Sequence, residues 1–119
     1  MKPITTRAQS NIEESFDWGK LTWYASRKIG NSDAMTLGRC VIGPGRENKP
    51  HLHPNCSETL VVMTGRIAHT LDADEVVLEA GDSVTIPPGV VHRARNLEQS
   101  EAVLWIAFSS ADREFVPVG

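Results

Sequence analysis

Three histidines and one glutamate carry the chemistry that this sequence can offer. His51, His53 and Glu58 fall within eight positions, and His92 follows in a second stretch that runs from Gly81 to Asn96. Imidazole nitrogens and a carboxylate oxygen together suit borderline divalent metals, which here means Zn, Fe, Ni, Mn or Cu. Three neutral imidazoles and one carboxylate give a ligand set of charge −1. A metal that prefers six ligands would keep two positions for water or substrate.

These side chains need elements that aim them at one point. His51 and His53 are two apart, so on a strand they share a face, about 7 Å apart along it. Glu58 has the wrong parity for an unbroken strand. Pro54-Asn55-Cys56-Ser57 reads as a turn or bulge that resets the register, so that Glu58 opens the next strand facing inward beside Leu60 and Val62. Upstream of His92, Pro87-Pro88-Gly89 reads as a tight turn that delivers a strand with His92 and Ala94 on one face and Arg93 and Arg95 on the other.

The rest of the chain has an all-β texture. Short runs rich in Val, Ile, Leu and Thr recur between Gly, Pro, Asn and Asp: residues 21–25, 35–42, 51–53, 59–63, 66–71, 75–79, 83–86, 90–95 and 102–108. The run at 66–71 is expected to return from Thr64-Gly65 as the hairpin partner of 59–63. No segment holds an apolar pattern at helical spacing, which argues for a sandwich or closed barrel. Residues 1–17 are polar and unpatterned and read as an arm, either flexible or packed on a partner subunit. Residues 18–119 read as a single barrel domain, within the size range of one core.

Composition narrows the function classes. The 119 residues carry a formal net charge of −3 with Lys and Arg scattered, so no nucleic-acid footprint is visible. No apolar run approaches the roughly 18 residues of a membrane span. The first residues lack the apolar core of a secretory signal, so a cytoplasmic protein is expected, with Cys40 and Cys56 as reduced thiols.

Two motifs then stand out. The first is Gly45, five residues, His51-x-His53, four residues, Glu58, six residues, Gly65. The second is Gly81, five residues, Pro87-x-Gly89, two residues, His92, three residues, Asn96. Gly and Pro each occur at only about 5–7% of positions, so ten matches at fixed spacing do not arise by chance. In these positions the chain resembles the cupin superfamily. The resemblance covers residues 45–96 and implies a jelly-roll β-barrel (a double-stranded β-helix) with one pocket. It also implies His51, His53, Glu58 and His92 as ligands of one divalent ion, and a homodimer. By analogy with the family, Glu58 would also serve as a general base if it leaves the metal.

Blander readings stand beside this one. His51, His53 and Cys56 could form a separate zinc cluster, at the cost of abandoning Glu58 and His92. His69 shares a strand face with Ile67 and Leu71 and reads as packing, with pocket lining as the minor alternative. Arg39 reads either as an inward carboxylate clamp or as a solvated strand residue. Trp105 is a candidate wall of the pocket together with Leu60, Val62 and Ala94. Trp18 and Trp23 read as core or interface anchors, and Asn96 as a backbone hydrogen-bonder. Three functions remain open: a metal-dependent enzyme (dioxygenase, isomerase, cyclase or decarboxylase) acting on a small oxygenated molecule that chelates the ion, a non-catalytic module that binds a sugar or metabolite, and a structural metal domain with a protein partner.

Overall fold

Alternation of apolar and polar residues builds two antiparallel sheets. The computed structural model describes residues 1–119. Its strands are β1 (Ile12–Phe16), β2 (Gly19–Ala25), β3 (Thr36–Ile42), β4 (His51–Leu52), β5 (Glu58–Thr64), β6 (Arg66–Leu71), β7 (Asp74–Glu79), β8 (Ser83–Ile86), β9 (His92–Asn96), β10 (Ala102–Phe108) and β11 (Val116–Pro117). One sheet has the order β1-β2-β3-β10-β5-β8 and the other β11-β4-β9-β6-β7. The arrangement is the all-β jelly-roll barrel.

The core lies between the sheets. In β3 the residues Thr36, Gly38, Cys40 and Ile42 turn inward, and in β10 Ala102, Leu104, Ile106 and Phe108 do the same. In β5 the inward set is Glu58, Leu60 and Val62, as the register reset at 54–57 requires. Each set is a period-2 series, the pattern that buries one face of a pleated strand. Trp23 on β2 is accommodated because residue 38 has no side chain: a Cβ there would stand 2.5 Å from the indole.

Two expectations need correction. The segment read as an unpatterned arm contributes β1, which pairs with β2 from Ile12↔Trp23 to Phe16↔Gly19. Its charged outer face hides the strand from a composition reading: four of its five residues are exposed. The run at 66–71 is not the hairpin partner of β5. It pairs with β7 and β9 in the other sheet. Gly65 makes the corner, at φ +96 and against the Cα of Ala102, so the chain crosses between sheets there instead of folding back. No helix is long and apolar enough to cross a membrane.

Candidate metal centre

Local geometry brings all four expected ligands together. His51 on β4 pairs directly with His92 on β9. His53 leaves the end of β4, and Glu58 opens β5 across the barrel. The backbone N–H of Gly89, at φ +80, donates to the His53 carbonyl at 3.0 Å and ties the Pro-Pro-Gly turn to the first pair of histidines. All four side chains are buried, and one ligand atom from each lies within 4.8 Å of the others. The ring centroids are 4.3 Å apart for His51–His92, 5.0 Å for His51–His53 and 5.1 Å for His53–His92.

Hydrogen bonds fix which nitrogen of each ring faces inward. His51 Nδ1 donates to the Lys49 carbonyl at 2.8 Å, His53 Nδ1 to the Glu114 carbonyl at 2.8 Å, and His92 Nδ1 to the Val90 carbonyl at 2.9 Å. A carbonyl oxygen only accepts, so each Nδ1 holds the proton. In the neutral ring each Nε2 then presents a lone pair, the tautomer a metal ligand needs.

The charges follow from this arrangement. Burial pushes the His51 imidazole down, to about 4, outweighing the hydrogen bond to Lys49. Burial alone would raise the Glu58 carboxyl, but His53 and His92 outweigh it and hold it at about 2. His92 makes the aligned contact, Nε2 to Oε1 at 3.0 Å. His53 Nε2 stands 3.3 Å from the same oxygen without an aligned hydrogen bond. For His92, burial lowers the pKa, and the bond and charge of Glu58 more than reverse this. With His92 neutral, its Nε2 and the Glu58 Oε1 stand 3.0 Å apart as two adjacent donors toward a cation. The unpartnered lone pair of His53, the inward Nε2 of His51 and the buried carboxylate fit a divalent ion at that point.

A cavity of about 320 Å³ opens over the ligands. Leu60 and Ala94 line it. Val62 does not: it is fully buried toward the closed end, where it exchanges backbone bonds with Gly81 and Asp82. Arg39 and Trp105 do not line it either. Cys40 and Gly38 turn inward, so Arg39 between them turns out, and Trp105 is its direct partner on β10. His69 is 1% exposed and lines the cavity, its ring stacked 5.8 Å from that of His92 and its Nδ1 without a partner. Burial pushes its pKa to about 4, so the ring is neutral. Cys56 packs in the core and makes no cluster with the histidines. Cys40 forms part of the cavity wall, and burial drives its thiol pKa upward. Both thiols are free.

Sequence reasoning missed a group of cavity residues: Phe108, Arg113 and Phe115, with Phe16 and Trp18 at the mouth. Phe108 was accessible from the parity of β10. Arg113 and Phe115 follow the last long strand in a stretch without motif or alternation.

The pattern described as Cupin domain matches residues 38–108, which holds all four ligands. The chain belongs to the cupin family. This cupin is 32% identical over 98 residues to germin-like protein 3-5 of Oryza sativa subsp. japonica, an alignment covering 74% of this chain and 43% of that protein. It is equally similar, at 32% over 98 residues, to oxalate oxidase 1 of Hordeum vulgare, covering 74% of this chain and 49% of that one. The cupin thus spans less than half the length of these curated relatives. Its fold superposes on Bacillus subtilis oxalate decarboxylase, a protein described with Mn(II) centres, at a TM-score of 0.81 and 21% identity. That superposition covers 87% of this chain and 29% of the other.

Proposed function

We propose that this cupin holds one divalent ion on His51, His53, His92 and Glu58 and acts as a metal-dependent enzyme on a small oxygenated organic molecule. The observation that carries the reading is the convergence of three Nε2 lone pairs and one carboxylate at the floor of an apolar cavity. When bound, the ion supplies Lewis-acid stabilisation of negative charge developing on substrate oxygens. Mn is supported by the Mn(II) centres described for the oxalate decarboxylase of similar fold, and Fe, Ni, Zn and Cu share the same donor chemistry.

The chain's own residues do the remaining work. The carbonyls of Lys49, Val90 and Glu114 orient the three rings. Leu60, Ala94, Leu104 and Ile106 keep water from the cavity wall. Glu58, with its carboxyl held near 2, serves best as a ligand; it would be a weak base. A non-catalytic binding module is the second reading, favoured by the shortage of groups in this cavity that could move protons. Two buried free thiols support a reducing, cytoplasmic setting. Exposed Val76 and Val77 on β7 support a homodimer, which sedimentation would test.

The deciding experiment is elemental analysis of protein purified without a histidine tag, followed by turnover assays. Oxalate, catechols, β-diketones and 2-oxo acids would be offered with and without dioxygen. One ion per chain and turnover of one class is the expected result. One ion with binding but no turnover selects the second reading, and absence of metal overturns both.

A further inference from the structure

The Arg113 guanidinium is a half-buried cation of the cavity wall that the metal centre leaves unused. It lies 4.4 Å from the Trp23 ring centroid, 5.2 Å from that of Phe108 and 5.8 Å from that of Phe115. None of the six ion pairs in the molecule includes it. Burial lowers its pKa while Glu58 and Glu14 pull the other way, yet an arginine keeps its charge throughout the working range. A half-buried cation without a carboxylate partner is partly desolvated, and aromatic faces offset only part of that cost.

The backbone around it is fixed. Asp112 is bonded to Arg27 through its carboxylate and to Asn55 through its carbonyl. The Glu114 N–H donates to Asn55 Oδ1, and the Glu114 carbonyl accepts from His53 Nδ1. Arg113 therefore sits between two anchored residues, one of which also orients a metal ligand. Two rings join the guanidinium to the metal centre: Phe108 stands 4.9 Å from the His53 ring, and Phe115 stands 4.9 Å from the His51 ring.

We infer that Arg113 is a specificity-determining residue that clamps a carboxylate of the ligand. That carboxylate lies at the far end of an apolar segment whose other, oxygenated end reaches the ion. The inference rests on the metal reading proposed above. Arg113 presents a planar fork of donors that matches two carboxylate oxygens, and the apolar walls remove competing water. The preferred ligand is thus a small acid with an apolar body and two separate oxygenated ends. Oxalate, whose two carboxylates are directly joined, has no such body.

Metal-loaded protein would be titrated with the monohydroxamates of succinate and adipate and with their methyl esters. The hydroxamate end chelates the ion in every probe, so only the distal group differs. The free acid of one length should bind about 10- to 100-fold more tightly than its ester, as expected for a charge-assisted hydrogen bond. Arg113→Gln should remove that difference while leaving metal content and ester affinity unchanged, and Arg113→Lys should restore part of it. Equal affinity of acid and ester at both lengths overturns the clamp and leaves the metal reading intact, whether or not the variants fold. Failure of every probe to bind the metal-loaded protein also overturns the clamp alone, whereas absence of the ion overturns both together.

Discussion

His51 and His92 are direct cross-strand partners, the pair through which β4 meets β9, with their ring centroids 4.3 Å apart. Two residues from separate motifs thus form one wall of the metal centre, and Glu58 closes it from the opposite sheet.

Removing one imidazole should empty the site. His53→Ala and His92→Ala are each expected to lose most bound metal, because three remaining ligands hold a divalent ion far less tightly than four and His69 lies outside the four-ligand cluster. Elemental analysis of the folded variants checks this; full occupancy in either would count against the assignment.

Metal affinity should fall on acidification. Binding needs His92 neutral, and without an ion Glu58 raises the pKa of His92. Protons therefore compete below that raised pKa, so the decline begins on the alkaline side of the ordinary imidazole value of about 6.5. His51, held at about 4, and Glu58, near 2, add nothing until the pH is much lower. Dissociation constants measured with a fluorescent chelator from pH 8 to pH 5 should show this slope, and a flat profile would refute it.

The metal-free protein should also lose stability between about pH 6.5 and 4. His51 and His69 stay neutral in the fold down to about 4, whereas in the unfolded chain they take up protons near 6.5. The unfolded state then binds more protons, and stability falls as the pH drops; the opposite contribution of His92, whose folded pKa is raised, is gained above about 6.5 and is already complete in this window. Urea denaturation across that window, repeated with His69→Phe, should show a shallower pH dependence in the variant.

Gly38→Ala should cost about 1–3 kcal/mol, the usual range for overpacking. The added Cβ would meet the Trp23 ring at 2.5 Å, and its other near neighbour is the Thr22 carbonyl, so strand and indole cannot both stay in place. Denaturation and the tryptophan emission maximum would report it, and wild-type values for both would show that the strand yields freely.

Asn96 illustrates what was legible in the sequence. Its motif position suggested backbone bonding, and its Nδ2 does donate to the carbonyls of Ile42, Gly43 and Ser100 while its Oδ1 accepts from Glu98. The four ligands were readable because their spacing carries parity: Glu58 and Leu60 point inward as the bulge requires, and His92 and Ala94 share a face. Parity alone also separates Arg39 from the cavity, since Cys40 beside it is buried. What spacing does not encode is which sheet a strand joins. The corner at Gly65 and the pairing of β1 are set by contacts with Ala102 and Trp23, distant in the chain. Arg113 escaped notice for the same reason: its role depends on rings from β2 and β10.

The Glu114 carbonyl that holds His53 belongs to the stretch after β10, while its partner ligands come from the middle of the chain. A nascent polypeptide therefore lacks the carbonyl that orients the His53 ring until that late segment has docked. Until then the His53 ring has no fixed tautomer, and the last residues to be made set the aim of one of the first histidines.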